Sequence, residues 1–205
     1  MTSNYYITSY CQIKNQQISL NGNVVFQDES EVFSDFIKNA YKAEETKYPK
    51  FFKMDNLSKL AFLAADILLK NENLDTEIQN NIAVVFSNNA ASLDTDRMHQ
   101  EAIQDKSNYF PSPAVFVYTL PNICIGEISI RYKLFSENSF FIFERFNAEH
   151  LVTYATSLLD SDKANQVLCG WVNFDNNQYE AFLYLVSKNG TAAHTKEHIT
   201  TLYNT

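Results

Sequence analysis

Apolar residues along this chain recur with two periods. Near the N-terminus Ile7, Ser9 and Cys11 alternate with Tyr6, Thr8 and Tyr10, a period of two in β-forming residues that predicts a strand. Helical spacing then takes over: Val32, Phe33, Phe36, Ile37 and Ala40 give one apolar face over residues 31–40. The clearest helix follows, with Asp55 as its N-cap and Leu57, Leu60, Ala61, Ala64, Ile67 and Leu68 on one face. Residues 82–86, IAVVF, are continuously apolar between Asn-rich segments, which predicts a strand covered on both faces. Another helix is expected over residues 93–104. Pro111, Pro113 and Pro121 leave room there only for a short helix starting just inside a proline.

The isoleucines of ICIGEISIRYK, at 123, 125, 128 and 130, fit neither period. Residues 139–143, SFFIF, are too short for a buried helix and read as a buried strand. Asn147 then caps a helix through Leu151, Tyr154, Ala155 and Leu158. Two more apolar strands, QVLCGWVNF and YEAFLYLVSK, precede a polar C-terminal tail expected to fray from residue 189. Strands alternating with helices predict an α/β layered domain with a mixed, mainly parallel sheet flanked by helices. The expected organisation is one domain over residues 1–190 and a tail over 191–205.

Composition narrows the function classes. With 205 residues, 45% hydrophobic and 20% charged, the chain belongs to the soluble globular class. No apolar run approaches the roughly 20 residues of a membrane span, and the start MTSNYY lacks a secretory pattern, so a cytoplasmic protein is expected. A net charge of −8 argues against nucleic acid and membrane surfaces. The charge is uneven, however. Lys38, Lys42, Lys47, Lys50, Lys53 and Lys59 share a window with only Glu44, Glu45 and Asp55, so six minus three leaves +3 there and −11 elsewhere. This window reads as a solvated lysine-rich connection or as a docking patch for an acidic partner.

Candidate chemistry is sparse. Cys11, Cys124 and Cys169 are three and far apart, which predicts buried reduced thiols rather than a disulfide framework or a metal knuckle. His194 and His198 are four apart in HTKEH, but the glutamate of a zinc helix is misplaced, so no metal is expected; His150 reads as a half-buried structural residue. The chain has four glycines and no phosphate- or dinucleotide-binding glycine motif, so no cofactor is expected. No glycine stands between Gly126 and Gly170, which leaves the turn after SFFIF poorly built as an oxyanion hole.

FPSPAVFVYTLPNICIGEISIRYKLFSENSFFIF resembles the β-ketoacyl synthase segment that leads to the active-site cysteine. KMDNLSKLAFLAADILL is similar to an earlier core helix of that family, IAVVFSNNAASLDTD to its next strand and loop, and QVLCGWVNF to the strand after the nucleophile helix. The resemblance covers most of the chain at the level of the N-terminal half of a thiolase-like fold. It implies that ICIGEISIRYK is helical. It also matches the nucleophile position to about Arg145, with Glu144 as neighbour, so neither a catalytic cysteine nor the family's two histidines is expected.

It further implies that Ser139, Phe140, Phe141, Ile142 and Phe143 form a strand that pairs across a two-fold axis, against the alternative of a plain interior strand. The expected function is a non-catalytic, chain-length-factor-like partner in type II fatty-acid, polyketide or aryl-polyene-type synthesis. It would form a homodimer, or a heterodimer with a full-length synthase, and the lysine window would dock an acyl carrier protein. The alternatives are an acyl-thioester enzyme using His150, Glu144 and Arg145, and a stand-alone ligand-binding or scaffold protein.

Overall fold

The computed structural model describes residues 5–107 and 109–205; the first four residues of the polar start lie outside the described residues. The chain opens with a ribbon of β1 (Tyr6–Lys14), β2 (Gln17–Leu20) and β3 (Asn23–Gln27). Its connections are two-residue turns, Asn15-Gln16 and Asn21-Gly22, with positive φ at all four residues. Consecutive left-handed residues match the twist of antiparallel strands, and the Asn-Gly pair adopts this conformation readily. Helix α1 (Phe33–Ala43), a 3-10 turn (Pro49–Lys53) and α2 (Asn56–Asn71) follow. Next come β4 (Ile82–Asn88), α3 (Leu93–Ile103), α4 (Pro113–Val117) and α5 (Ile123–Tyr132). The last third holds β5 (Asn138–Ile142), α6 (Ala148–Asp160), β6 (Gln166–Asp175), β7 (Gln178–Ser187), β8 (Ala192–Ala193) and α7 (Lys196–Asn204).

The strands form one sheet in the order β3-β2-β1-β7-β6-β4-β5, with β8 beside β1. It is the expected mixed sheet flanked by helices. Parallel pairing is narrower than expected: among the described strands only β5, β4 and β6 run parallel, while β1 pairs antiparallel with β2, β7 and β8, and β6 with β7. The Asn176-Asn177 turn, again left-handed at both residues, fixes the β6–β7 pairing, because a two-residue link can join only antiparallel neighbours, as Asn15-Gln16 does for β1 and β2.

Period-two alternation sends β4 into two cores. Val84 and Phe86 join the layer of α1, α2 and α5, whereas Ala83 and Val85 join the layer of α6 and α7. Asp55 caps α2 as predicted, accepting from the Ser58 N–H at 2.9 Å. The helix is buried nearly all round rather than on one face. Its single interior acid, Asp66, is satisfied by Thr46 Oγ1 at 2.7 Å, Tyr132 OH at 2.6 Å and Lys70 Nζ at 2.6 Å. ICIGEISIRYK is helical, as the resemblance implied.

Two further expectations are corrected. The strand in SFFIF is an edge strand rather than a buried one, because the sheet ends there; Phe140 and Phe141 are half-buried and Ile142 is 50% exposed. The C-terminal tail is not frayed: β8 pairs with β1, Ile199 of α7 is fully buried, and Gln12 Nε2 donates to the carbonyls of Leu202 and Tyr203.

Candidate functional site

β5 owes its position to β4, which it follows in register from Val84 opposite Asn138 to Asn88 opposite Ile142. Its two faces are occupied. Phe140 packs on the layer of α2 and α5, and Phe141 on that of α6. Phe141 meets the His150 ring edge-on at 4.4 Å and Tyr154 at 5.2 Å, while Phe143 reaches His150 at 4.9 Å. Ser139 Oγ and Tyr154 OH are 2.9 Å apart, which ties the strand to α6. Among the described residues the outward backbone row of β5 has no strand beside it, and its most exposed apolar side chain is Ile142.

The turn over residues 143–147 links this edge to α6. Asn147 Oδ1 accepts from the His150 N–H at 3.0 Å and caps the helix, as its sequence position predicts. Glu144 and Arg145 are exposed and, with Phe143 and Asn147, line a polar cleft of about 400 Å³. Lys196 of α7 closes its far side through a 2.7 Å ion pair with Glu149. His150 turns the other way, into the phenyl rings; its Nε2 is buried with no hydrogen-bond partner among the described residues, and desolvation holds its pKa below the ordinary 6.5. No hydrogen bond or ion pair among the described residues joins His150 to Glu144 or Arg145.

The three thiols are elsewhere, in β1, α5 and β6, and burial pushes each well above its ordinary value, away from the nucleophilic thiolate. His194 and His198 do not share a helical face, because His194 precedes α7; burial lowers its pKa to about 4. Among the described residues no group of three His, Cys, Asp or Glu is placed to hold a metal, and no helix is long and apolar enough to cross a membrane.

The six lysines are spread over three elements and a loop. Lys38 and Lys42 project from α1, Lys47 from the following loop, Lys50 and Lys53 from the 3-10 turn anchored by buried Phe51, and Lys59 from α2. Lys50 is committed to Glu127 at 2.9 Å. Lys53 and Lys59 face one apolar cleft with Met54 and Met98, a juxtaposition that sequence reading missed because its walls come from separate segments. The aromatic bed of β5 was missed as well; the i, i+4 spacing of His150 and Tyr154 was its one sequence signal.

No protein-family model matches the chain, and no curated protein matches it in sequence. Solved structures do match. The ishigamide ketosynthase/chain length factor superposes with a TM-score of 0.66 at 16% identity over 91% of this chain. This chain has the thiolase-like ketosynthase fold. A ketosynthase in complex with its chain length factor from Xenorhabdus doucetiae gives a TM-score of 0.63 at 12% identity over 100% of this chain. A type II polyketide ketosynthase in complex with its acyl-carrier protein gives 0.65 at 13% over 90%. The chain spans 62% of the matched chain in the ishigamide and carrier-protein structures and 91% of that in the Xenorhabdus complex. The ketosynthase fold thus accounts for the order of elements from β1 to α7.

Proposed function

We propose that this protein is a non-catalytic, chain-length-factor-like partner of a full-length ketosynthase, working in type II fatty-acid, polyketide or aryl-polyene-type synthesis. The β5 edge carries the proposal. It is regular, unpaired on one side among the described residues, apolar at Ile142, and backed on both faces by the two cores, so a second strand could extend the sheet without disturbing either. The matched structures support this reading, since one holds a ketosynthase with its chain length factor and another a ketosynthase with its carrier protein. A non-catalytic role is supported by the turn itself, which offers Glu144 and Arg145 but no nucleophile, while the thiols are buried and protonated.

The exposed lysines Lys38, Lys42, Lys47 and Lys53, which form no ion pair among the described residues, fit an acidic carrier protein as the second partner; Lys50 and Lys59 border them. To test assembly, the chain is co-expressed with candidate ketosynthases and mass is measured by light scattering. A one-to-one complex that changes product length is expected. Homodimers alone, with synthase rate and product length unaffected, would refute the proposal. For the carrier, Lys47→Glu with Lys53→Glu should weaken binding about tenfold or more at low salt, and progressively less as salt rises.

A further inference from the structure

The start of α2 meets α3 and α4 around a cleft of about 220 Å³. Its walls are apolar: buried Met54, half-exposed Met98, and Val115 from α4. Tyr118 adds its ring, the hydroxyl being engaged as donor to Glu127 Oε1 at 2.9 Å. The acid in the lining, Asp55, is already satisfied on both oxygens, Oδ1 by the Ser58 N–H at 2.9 Å and Oδ2 by Thr95 Oγ1 at 2.8 Å.

Two lysines face this cleft. Lys53 is exposed at the rim, whereas Lys59 is half-buried in the wall and, unlike Lys50, Lys70, Lys133, Lys163 and Lys196, forms no ion pair among the described residues. Desolvation lowers the Lys59 pKa, and the attraction of Asp55 offsets this only in part. A half-buried ammonium whose neighbouring carboxylate, Asp55, is already engaged by Ser58 and Thr95 is only partly compensated, and an anion in the cleft would complete the compensation.

We propose that this cleft binds a small aliphatic carboxylate, its anionic head on Lys59 and Lys53 and its chain against Met54, Met98 and Val115. The volume lies below the roughly 300–1,000 Å³ usual for drug-sized ligands, which restricts the tail to a few carbons. This site is independent of any ketosynthase partner, and its test uses the protein alone.

Two of the three methionines line the cleft and the third is Met1, so methyl-labelled methionine reports occupancy directly by NMR. Titration with hexanoate should shift the Met54 and Met98 methyl signals saturably. Hexan-1-ol, which lacks the charge, and inorganic phosphate, which lacks the tail, should each bind at least about tenfold more weakly. Lys59→Gln should weaken hexanoate about tenfold. Lys59→Arg should retain binding, and Val115→Phe should block it by filling the space. Equal binding of hexanoate and hexan-1-ol, undiminished binding by Lys59→Gln, or shifts that do not saturate would each overturn the assignment.

Discussion

The sheet ends in β3 on one side and β5 on the other, and the two ends are built differently. β3 belongs to a ribbon that projects past the core: Asn23, Val24, Val25 and Gln27 are exposed, and Phe26 alone leans on the helical layer. Its pairing with β2 slips between Ile18 and Ser19, which leaves Val25 outside the register as a bulge. Such an irregularity twists an edge and spoils it as a template for another strand. β5 has none. Its register with β4 is unbroken over five residues, its faces are covered by α5 on one side and α6 on the other, and its outward row carries no charged side chain. One end of the sheet is therefore finished by distortion, and the other is left regular where the two cores meet it.

The sharpest way to break this comparison is to use proline on alternate residues of β5. Val84 N–H donates to the Glu137 carbonyl at 3.0 Å, and Phe143 N–H to the Asn88 carbonyl at 2.9 Å. In a parallel ladder the residues between them alternate, so the Phe141 amide points toward β4 and the Ile142 amide outward. Phe141→Pro removes a ladder bond and a ring from the α6 layer, and urea denaturation should show a loss of about 3 kcal/mol. Ile142→Pro takes away an amide that has no strand partner among the described residues. It should shift stability by less than about 1 kcal/mol and yet abolish the one-to-one complex with a ketosynthase. Retention of the complex would mean that β5 is not the seam. Val25→Pro, in the β3 bulge, should leave both readouts unchanged within about 0.5 kcal/mol.

How much of this was legible in the sequence depended on how local the cause was. Asp55 and Asn147 announced their helices because a cap acts within three residues, and both side chains accept the predicted amides. The doubly apolar IAVVF was legible for the same reason, as its residues alternate between the two cores. SFFIF has the same apolar pattern, and that pattern reports which faces are covered and not whether another strand lies alongside, so by itself it predicts only a buried strand and leaves an interior strand and a pairing edge undistinguished. Asn21-Gly22 and Asn176-Asn177 carried the antiparallel wiring in plain view, outweighed by the strand-helix alternation between residues 82 and 174. Ile199, Leu202 and Tyr203 sit at helical spacing in a polar segment, and few as they are, they hold α7 to the sheet. Nothing local marks the Lys59 cleft, since α2, α3 and α4 meet only in the fold.

The smallest expected effect would sharpen the comparison by pH. His150 lies beneath β5, against Phe141 and Phe143, with Nε2 unpartnered and its pKa lowered by burial. The folded state therefore prefers the neutral ring, and the unfolded chain takes up the proton first as pH falls. The stabilisation is complete above the ordinary value of 6.5 and disappears as pH drops through the lower folded value. Protonation would place a charge among the aromatic rings that seat β5, whereas β3 contains no titratable side chain. Between about pH 7 and about pH 5, amide exchange corrected for its intrinsic pH dependence should quicken in β5 relative to β3. His150→Phe should remove that difference and leave the two edges parallel in their response. If the difference persists in His150→Phe, the charge responsible lies elsewhere, with buried His194 the next group to substitute.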